Sequence, residues 1–266
     1  MADWRLPSNM NVNSVYDRVG PSSSTNNTKG SWKEVIPSTE FDAILSVTII
    51  TGSYAGDHRE MFDVGIGAAG SEVAIIENIY ISAKYHGIGH NILLPIIIPA
   101  GSRISIRRQA NTGTSSSRCW ITPIATTFTY QSLQVCDTIG AVTAATTGTL
   151  IDPGGTADTY GNWVELSSAA EKNYSQIIMA VGGYTDLSRT DWHYWYIDIG
   201  IGDTPADNII ANSIFCCAQT YYSLPYPNIF NLPLSIPKGE KISVRSKCSS
   251  NTSGNRYIDV ILYCFA

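Results

Sequence analysis

The chain has 266 residues, 44% of them hydrophobic and only 15% charged, with a net charge of −5. No basic run exceeds Arg107-Arg108, which argues against nucleic acid as a partner. The longest apolar run, Ile92 to Pro99, is too short to span a bilayer, so no membrane partner is expected.

Residues 1–20 read as a polar N-terminal arm that includes Trp4, and the loop composition continues through Ser22 to Thr28. Such an arm orders only when something holds it, either a neighbouring subunit or its own domain. The first residues lack the sections of a signal peptide, so synthesis in a cytoplasm is expected. Short runs rich in Val, Ile, Thr and aromatics follow at Ile44–Ile50, Met61–Ile66, Glu72–Ile81, Ile92–Ile98, Arg103–Arg107 and Cys119–Phe128. Gly, Pro, Asn and Ser clusters separate them, the pattern of an antiparallel β-sandwich or jelly roll. Residues 131–151, rich in Thr, Ala and Gly, read as a linker or an extended arm packed on a neighbour. Helical turns are expected only near Pro37–Phe41 and Ser167–Tyr174.

The rest of the chain repeats its first half. Leu94-Pro95, Pro99, Gly101, Ile104, Ser105, Arg107 and Arg118 return as Leu232-Pro233, Pro237, Gly239, Ile242, Ser243, Arg245 and Arg256 at one constant offset. Asp63-Val64-Gly65-Ile66-Gly67 returns as Asp198-Ile199-Gly200-Ile201-Gly202, and Thr25, Thr28, Gly30 and Trp32 as Thr156, Thr159, Gly161 and Trp163. So long a repeat predicts an all-β protein of two tandem, internally duplicated β-sandwich domains, 21–130 and 152–266, rather than a solenoid.

Asp63/Asp198, Arg107/Arg245 and Arg118/Arg256 are charged in both copies. Duplicated charges of this kind serve a structural ion pair that fixes strand register, in preference to a pair of ligand sites. Six cysteines without Cys-x-x-Cys spacing read as reduced thiols, and His86 and His90 flank a glycine-rich loop that cannot stack them as zinc ligands. No metal or cofactor is therefore expected. Gly65 and Gly200 are expected at close packing or a bulge. Without a Gly-x-Ser-x-Gly or any acidic motif, the chain is not expected to be an enzyme.

One face differs between the copies. Asp57, Arg59 and Met61 of the first correspond to Trp192, Tyr194 and Tyr196 of the second, opposite the core face of Phe62, Val64 and Ile66. Tyr221 and Tyr222 add aromatics nearby in sequence. Such a face suits packing within the chain, another subunit, or a host glycan.

Thr-x-x-Thr-x-Gly-x-Trp, the Asp-x-Gly-Ile-Gly strand and Leu-Pro-x-x-x-Pro-x-Gly-x-x-Ile-Ser-x-Arg together resemble virion proteins of tailed bacteriophages. That resemblance implies a particle-bound structural protein, foremost a capsid decoration or cement protein, alternatively a tail or neck component. Its partners would be other virion proteins (the major capsid protein, or tail and neck proteins), and a homo-oligomer such as a trimer is expected. Trp4, Trp192, Tyr194 and Tyr196 are the anchors expected for such contacts.

Overall fold

A computed structural model describes residues 18–19, 25–51, 58–83, 89–111, 117–125, 136–141, 143–144, 146–183, 193–206, 208–218 and 228–266. The chain divides between Val135 and Cys136 into two compact units.

The first unit contains β1 (Arg18–Val19), β2 (Lys33–Ile36), β3 (Ala43–Thr51), β4 (His58–Ile66), β5 (Val73–Ala83), β6 (Gly89–Ile98), β7 (Ile104–Ala110) and β8 (Ser117–Ala125). They form two antiparallel sheets ordered β1-β8-β3-β6 and β2-β7-β4-β5. This is the double Greek key of a jelly roll. Strand alternation sends Leu45, Val47, Ile49, Phe62, Val64, Ile104 and Ile106 inward, all of them fully buried.

The second unit repeats that order with β10 (Thr149–Ile151), β11 (Val164–Ser167), β12 (Gln176–Gly183), β13 (His193–Ile201), β14 (Ile209–Ala218), β15 (Asn228–Leu232), β16 (Ile242–Cys248) and β17 (Ile258–Phe265). Its sheets run β10-β17-β12-β15 and β11-β16-β13-β14. The protein is thus all-β, as two tandem jelly rolls, and the one helix among the described residues is the single turn Ser253–Arg256.

Within 131–151, expected as a linker or an extended arm, the described residues from Cys136 onward include two strands of the second unit's sheet. β9 (Cys136–Ile139) pairs with β17 at Phe265 to Leu262, and β10 pairs with the same strand edge at Val260 to Ile258. Gly140 and Gly148 let the intervening loop lie on the strand, where a Cβ would meet the Val260 carbonyl at 2.9 and 2.7 Å. The helical turns expected at Pro37–Phe41 and Ser167–Tyr174 are also corrected. Thr39 accepts from Gly101 N–H (2.8 Å) and donates its own N–H to the Ser102 carbonyl (2.9 Å). Ala170 does the same with Gly239 (2.8 Å) and Glu240 (2.7 Å). These backbone groups brace the proline–glycine turn and are spent before a helix can use them. That turn needs glycine in both copies, because φ is +80° at Gly101 and +90° at Gly239.

Candidate functional site: one frame with two different faces

Two of the duplicated pairs, Asp63/Asp198 and Arg107/Arg245, assemble one device in each unit. On β4, Asp63 is buried with its Oδ2 accepting from Arg107 Nε of β7 (2.7 Å) and from Lys29 Nζ (2.8 Å). Its Oδ1 accepts the backbone N–H of Asn78 (2.8 Å). Asn78 takes the left-handed backbone region (φ 57°), where the β4–β5 register shifts between Phe62 and Val64. The carboxylate therefore holds a β-bulge and a cross-strand arginine together. In the second unit Asp198 Oδ2 accepts from Arg245 Nε (2.9 Å), and Oδ1 accepts from Ser213 N–H (2.9 Å). Ser213 has φ 56° at the matching register shift between Ile197 and Ile199. Where the first unit adds Lys29, the second adds the Tyr160 hydroxyl, which donates to Asp198 Oδ1 (3.0 Å). Trp32 and Trp163 stack on Arg107 (4.4 Å) and Arg245 (4.6 Å) respectively. Gly65 keeps its strand clear of Trp32, whose ring a Cβ would meet at 2.8 Å, and Gly200 does so for the Pro205 carbonyl at 2.5 Å.

Beyond this device the two outer surfaces diverge. On the β2-β7-β4-β5 sheet, Arg59, Met61, Tyr80 and Gln109 are buried. At the same positions of the second unit, Tyr194 is 39% exposed, Tyr196 is half-buried, and Phe215, the cross-strand partner of Tyr196, is 50% exposed. The rings pack on one another. Tyr194 meets Tyr196 edge-on at 5.9 Å, and Tyr196 and Phe215 lie 5.5 Å apart. In the row Phe215–Tyr196–Lys247, the Lys247 ammonium lies over the ring of Tyr196 (4.8 Å) and that of Tyr160 (5.1 Å). The Asp158 charge, together with a hydrogen bond to its carboxylate, raises the Tyr194 hydroxyl pKa.

The other sheet shows the reverse. In the second unit its outer face is closed, with Ile178, Ala180, Asp259, Ile261, Tyr263 and Phe265 all buried, and Thr147 of the covering loop hydrogen-bonded to Asp259. In the first unit the corresponding face of β8-β3-β6 is open. On the edge strand β6, Leu93 is 42% exposed with Pro95 and Ile97 half-buried beside it. Ser46 stands opposite it on β3, and Ile44, Trp120 and Ile124 are half-buried further along β3 and β8.

Tyr194 and Tyr196 thus lie on one face as the alternation predicts. Trp195 between them points inward and donates its indole N–H to the Arg256 carbonyl (2.7 Å). Arg256 itself forms a two-pronged pair with Asp152 (2.7 and 3.1 Å). Trp4, Trp192, Tyr221, Tyr222, His86 and the arm 1–17 lie outside the described residues, as do the side chains of Arg118 and His90. Phe215, Lys247, Tyr160 and Asp158 were not singled out from sequence. The one available signal was Tyr160 standing where the first copy has Lys29.

Among the described residues no three His, Cys, Asp or Glu side chains converge to hold a metal, and the cysteines are free. Burial pushes the Cys264 thiol up to about 12 and Cys119 above the usual thiol range.

No family model matches the sequence. No curated protein matches it either. Among solved structures, N-glycanase F (PNGase F) is similar at a TM-score of 0.40 and 11% identity, covering 94% of this chain and 93% of that one. A second structure of PNGase F, a glycosylasparaginase from Flavobacterium meningosepticum, gives 0.39 and 11%, covering 94% of each chain. A structure of the infectious bursal disease virus Gt strain gives 0.26 and 14%, covering 85% of this chain and 57% of the other. The expectation that the chain is not an enzyme does not stand beside the PNGase F matches, which are to an enzyme. At such TM-scores no activity passes from that protein to this one.

Proposed function

We propose that the protein is a structural component of a bacteriophage particle, foremost a capsid decoration or cement protein, seated on other virion proteins through the open outer sheet of its first unit. The observation that carries this reading is the exposed Leu93 on a sheet face that also presents half-buried Ile44, Pro95, Ile97 and Ile124, and whose counterpart in the second unit is closed. An exposed leucine among partly buried apolar residues on an antiparallel sheet gains by burial against another protein. The sequence resemblance to tailed-phage virion proteins supports the same partner class.

The test is attachment of the purified chain to particles assembled without it, measured by co-sedimentation. Leu93→Lys places a charge on the exposed edge strand of that face without touching the core. The variant is expected to keep the wild-type unfolding midpoint and to bind at least about ten-fold more weakly, since one desolvated charge exceeds 1.4 kcal/mol. Undiminished attachment of a folded Leu93→Lys chain would overturn this seat.

A further inference from the structure

We infer that the open face of the second unit is a binding site for an acidic saccharide, a pyranose that carries a carboxylate. This inference is independent of the attachment proposed for the first unit, because it uses the other sheet of the other domain.

Three observations carry it. First, Tyr194 and Phe215 present two exposed rings whose planes are inclined by only 31° at 6.4 Å, so both offer apolar surface to one flat ligand. The C–H faces of a sugar ring match such a surface, whereas its hydroxyls need polar partners at the rim. The rim supplies them, with the Asp158 carboxylate beside the Tyr194 hydroxyl and Asn212 next to Ser213. Second, Lys247 is half-buried between the rings of Tyr160 and Tyr196 and makes no salt bridge among the described residues. The neighbouring Arg245 is neutralised by Asp198 (2.9 Å), so among the described residues of this face Lys247 is the cation left to meet an anion. An ammonium fixed by two ring faces loses little further freedom when a carboxylate arrives, and partial burial strengthens the pairing.

Third, among the described residues the patch is small. Three partly exposed rings offer at most a few hundred Å², well short of the roughly 800 Å² per partner of a stable protein interface. That size fits one or two sugar rings and favours a saccharide over a protein.

Lys247 and the two rings have separable roles, and the test uses that. The full chain is titrated with 3′-sialyllactose and with a hyaluronan tetrasaccharide, and with neutral lactose as reference, by isothermal calorimetry. At least one acidic saccharide is expected to bind about ten-fold or more tightly than lactose. Lys247→Gln should remove that preference, while Phe215→Ser should weaken the acidic and neutral sugars alike, both variants keeping the wild-type unfolding midpoint. The inference is overturned if neither acidic saccharide binds by about 10 mM, or if Lys247→Gln leaves the preference intact. Binding of a Glu-rich peptide in place of any saccharide would overturn it too, and would make the face a protein site.

Discussion

The two units share a frame and exchange their interiors. On the inward side of β4, the first unit carries Glu60 where the second carries Trp195. Glu60 accepts from Arg108 Nη1 and from the Ser117 hydroxyl, and Arg108 also donates to Ser117 (3.2 Å). All three are buried, so a closed polar triangle links β4 and β7 of one sheet to β8 of the other. In the second unit the Trp195 indole fills that space, flanked across the strands by Cys216 and Cys248, and Ser246 replaces Arg108. The same topology thus tolerates an ion pair or an aromatic ring at one place. The invariant part is the Asp–Arg bulge device outside it. Interiors and outer faces can diverge after a duplication only while something else holds register, and Asp63 and Asp198 are built to do so.

The largest expected effect breaks the first interior. Arg108→Met alone removes the arginine partner of the buried Glu60 carboxylate and should cost about 3–5 kcal/mol in chemical unfolding, whereas Glu60→Leu with Arg108→Met should return close to wild type. The second unit has no such rescue, because Trp195→Ala opens a cavity worth about 3–5 kcal/mol that no single partner change closes. If Arg108→Met were as mild as the double variant, the contrast between the interiors would fail. A medium effect probes the shared device. Double-mutant cycles for Asp63 with Arg107, and for Asp198 with Arg245, should each give a coupling of about 0.5–3 kcal/mol. Absence of coupling in either unit would remove the claim that one frame is held twice.

The smallest effect concerns an ion pair of the second unit. The hydrogen bond from Arg256 holds the Asp152 carboxyl below its ordinary range of 3.8. A depressed carboxyl stabilises the fold above its unfolded pKa, and the gain is lost as pH falls through the folded value. Stability at neutral pH should therefore include this pair and lose it in acid below about pH 4. Because Asp152 is partly open to solvent, the loss should stay under about 1 kcal/mol. Asp152→Asn should flatten that part of the pH profile, measured by urea midpoints. An unchanged profile would show that the pair contributes nothing.

The repeat, the strands and the Asp–Arg pairs were legible because period-two alternation and duplication are local signals. The bulges at Asn78 and Ser213 were not, since neither residue announces a left-handed backbone and each is chosen by a carboxylate fifteen positions away. Glu60 was in principle legible. The alternation that puts Phe62 and Val64 inside puts Glu60 inside as well, but a lone charge reads as surface until its partners on β7 and β8 are known. The binding face of the second unit was half legible. Tyr194 and Tyr196 share one strand, while Phe215, Lys247 and Tyr160 reach them only through antiparallel pairing. The helical turns failed because the bonds that consume Thr39 and Ala170 come from distant turns.

The most direct test of the account compares two variants of the first unit for attachment to particles per folded molecule. Asp63→Ala removes a frame residue and Leu93→Lys a surface residue. The account predicts that Asp63→Ala lowers the unfolding midpoint yet attaches like wild type once folded, and that Leu93→Lys does the opposite. A folded Asp63→Ala chain that fails to attach, or a Leu93→Lys chain that attaches normally, would contradict the division between shared frame and divergent faces.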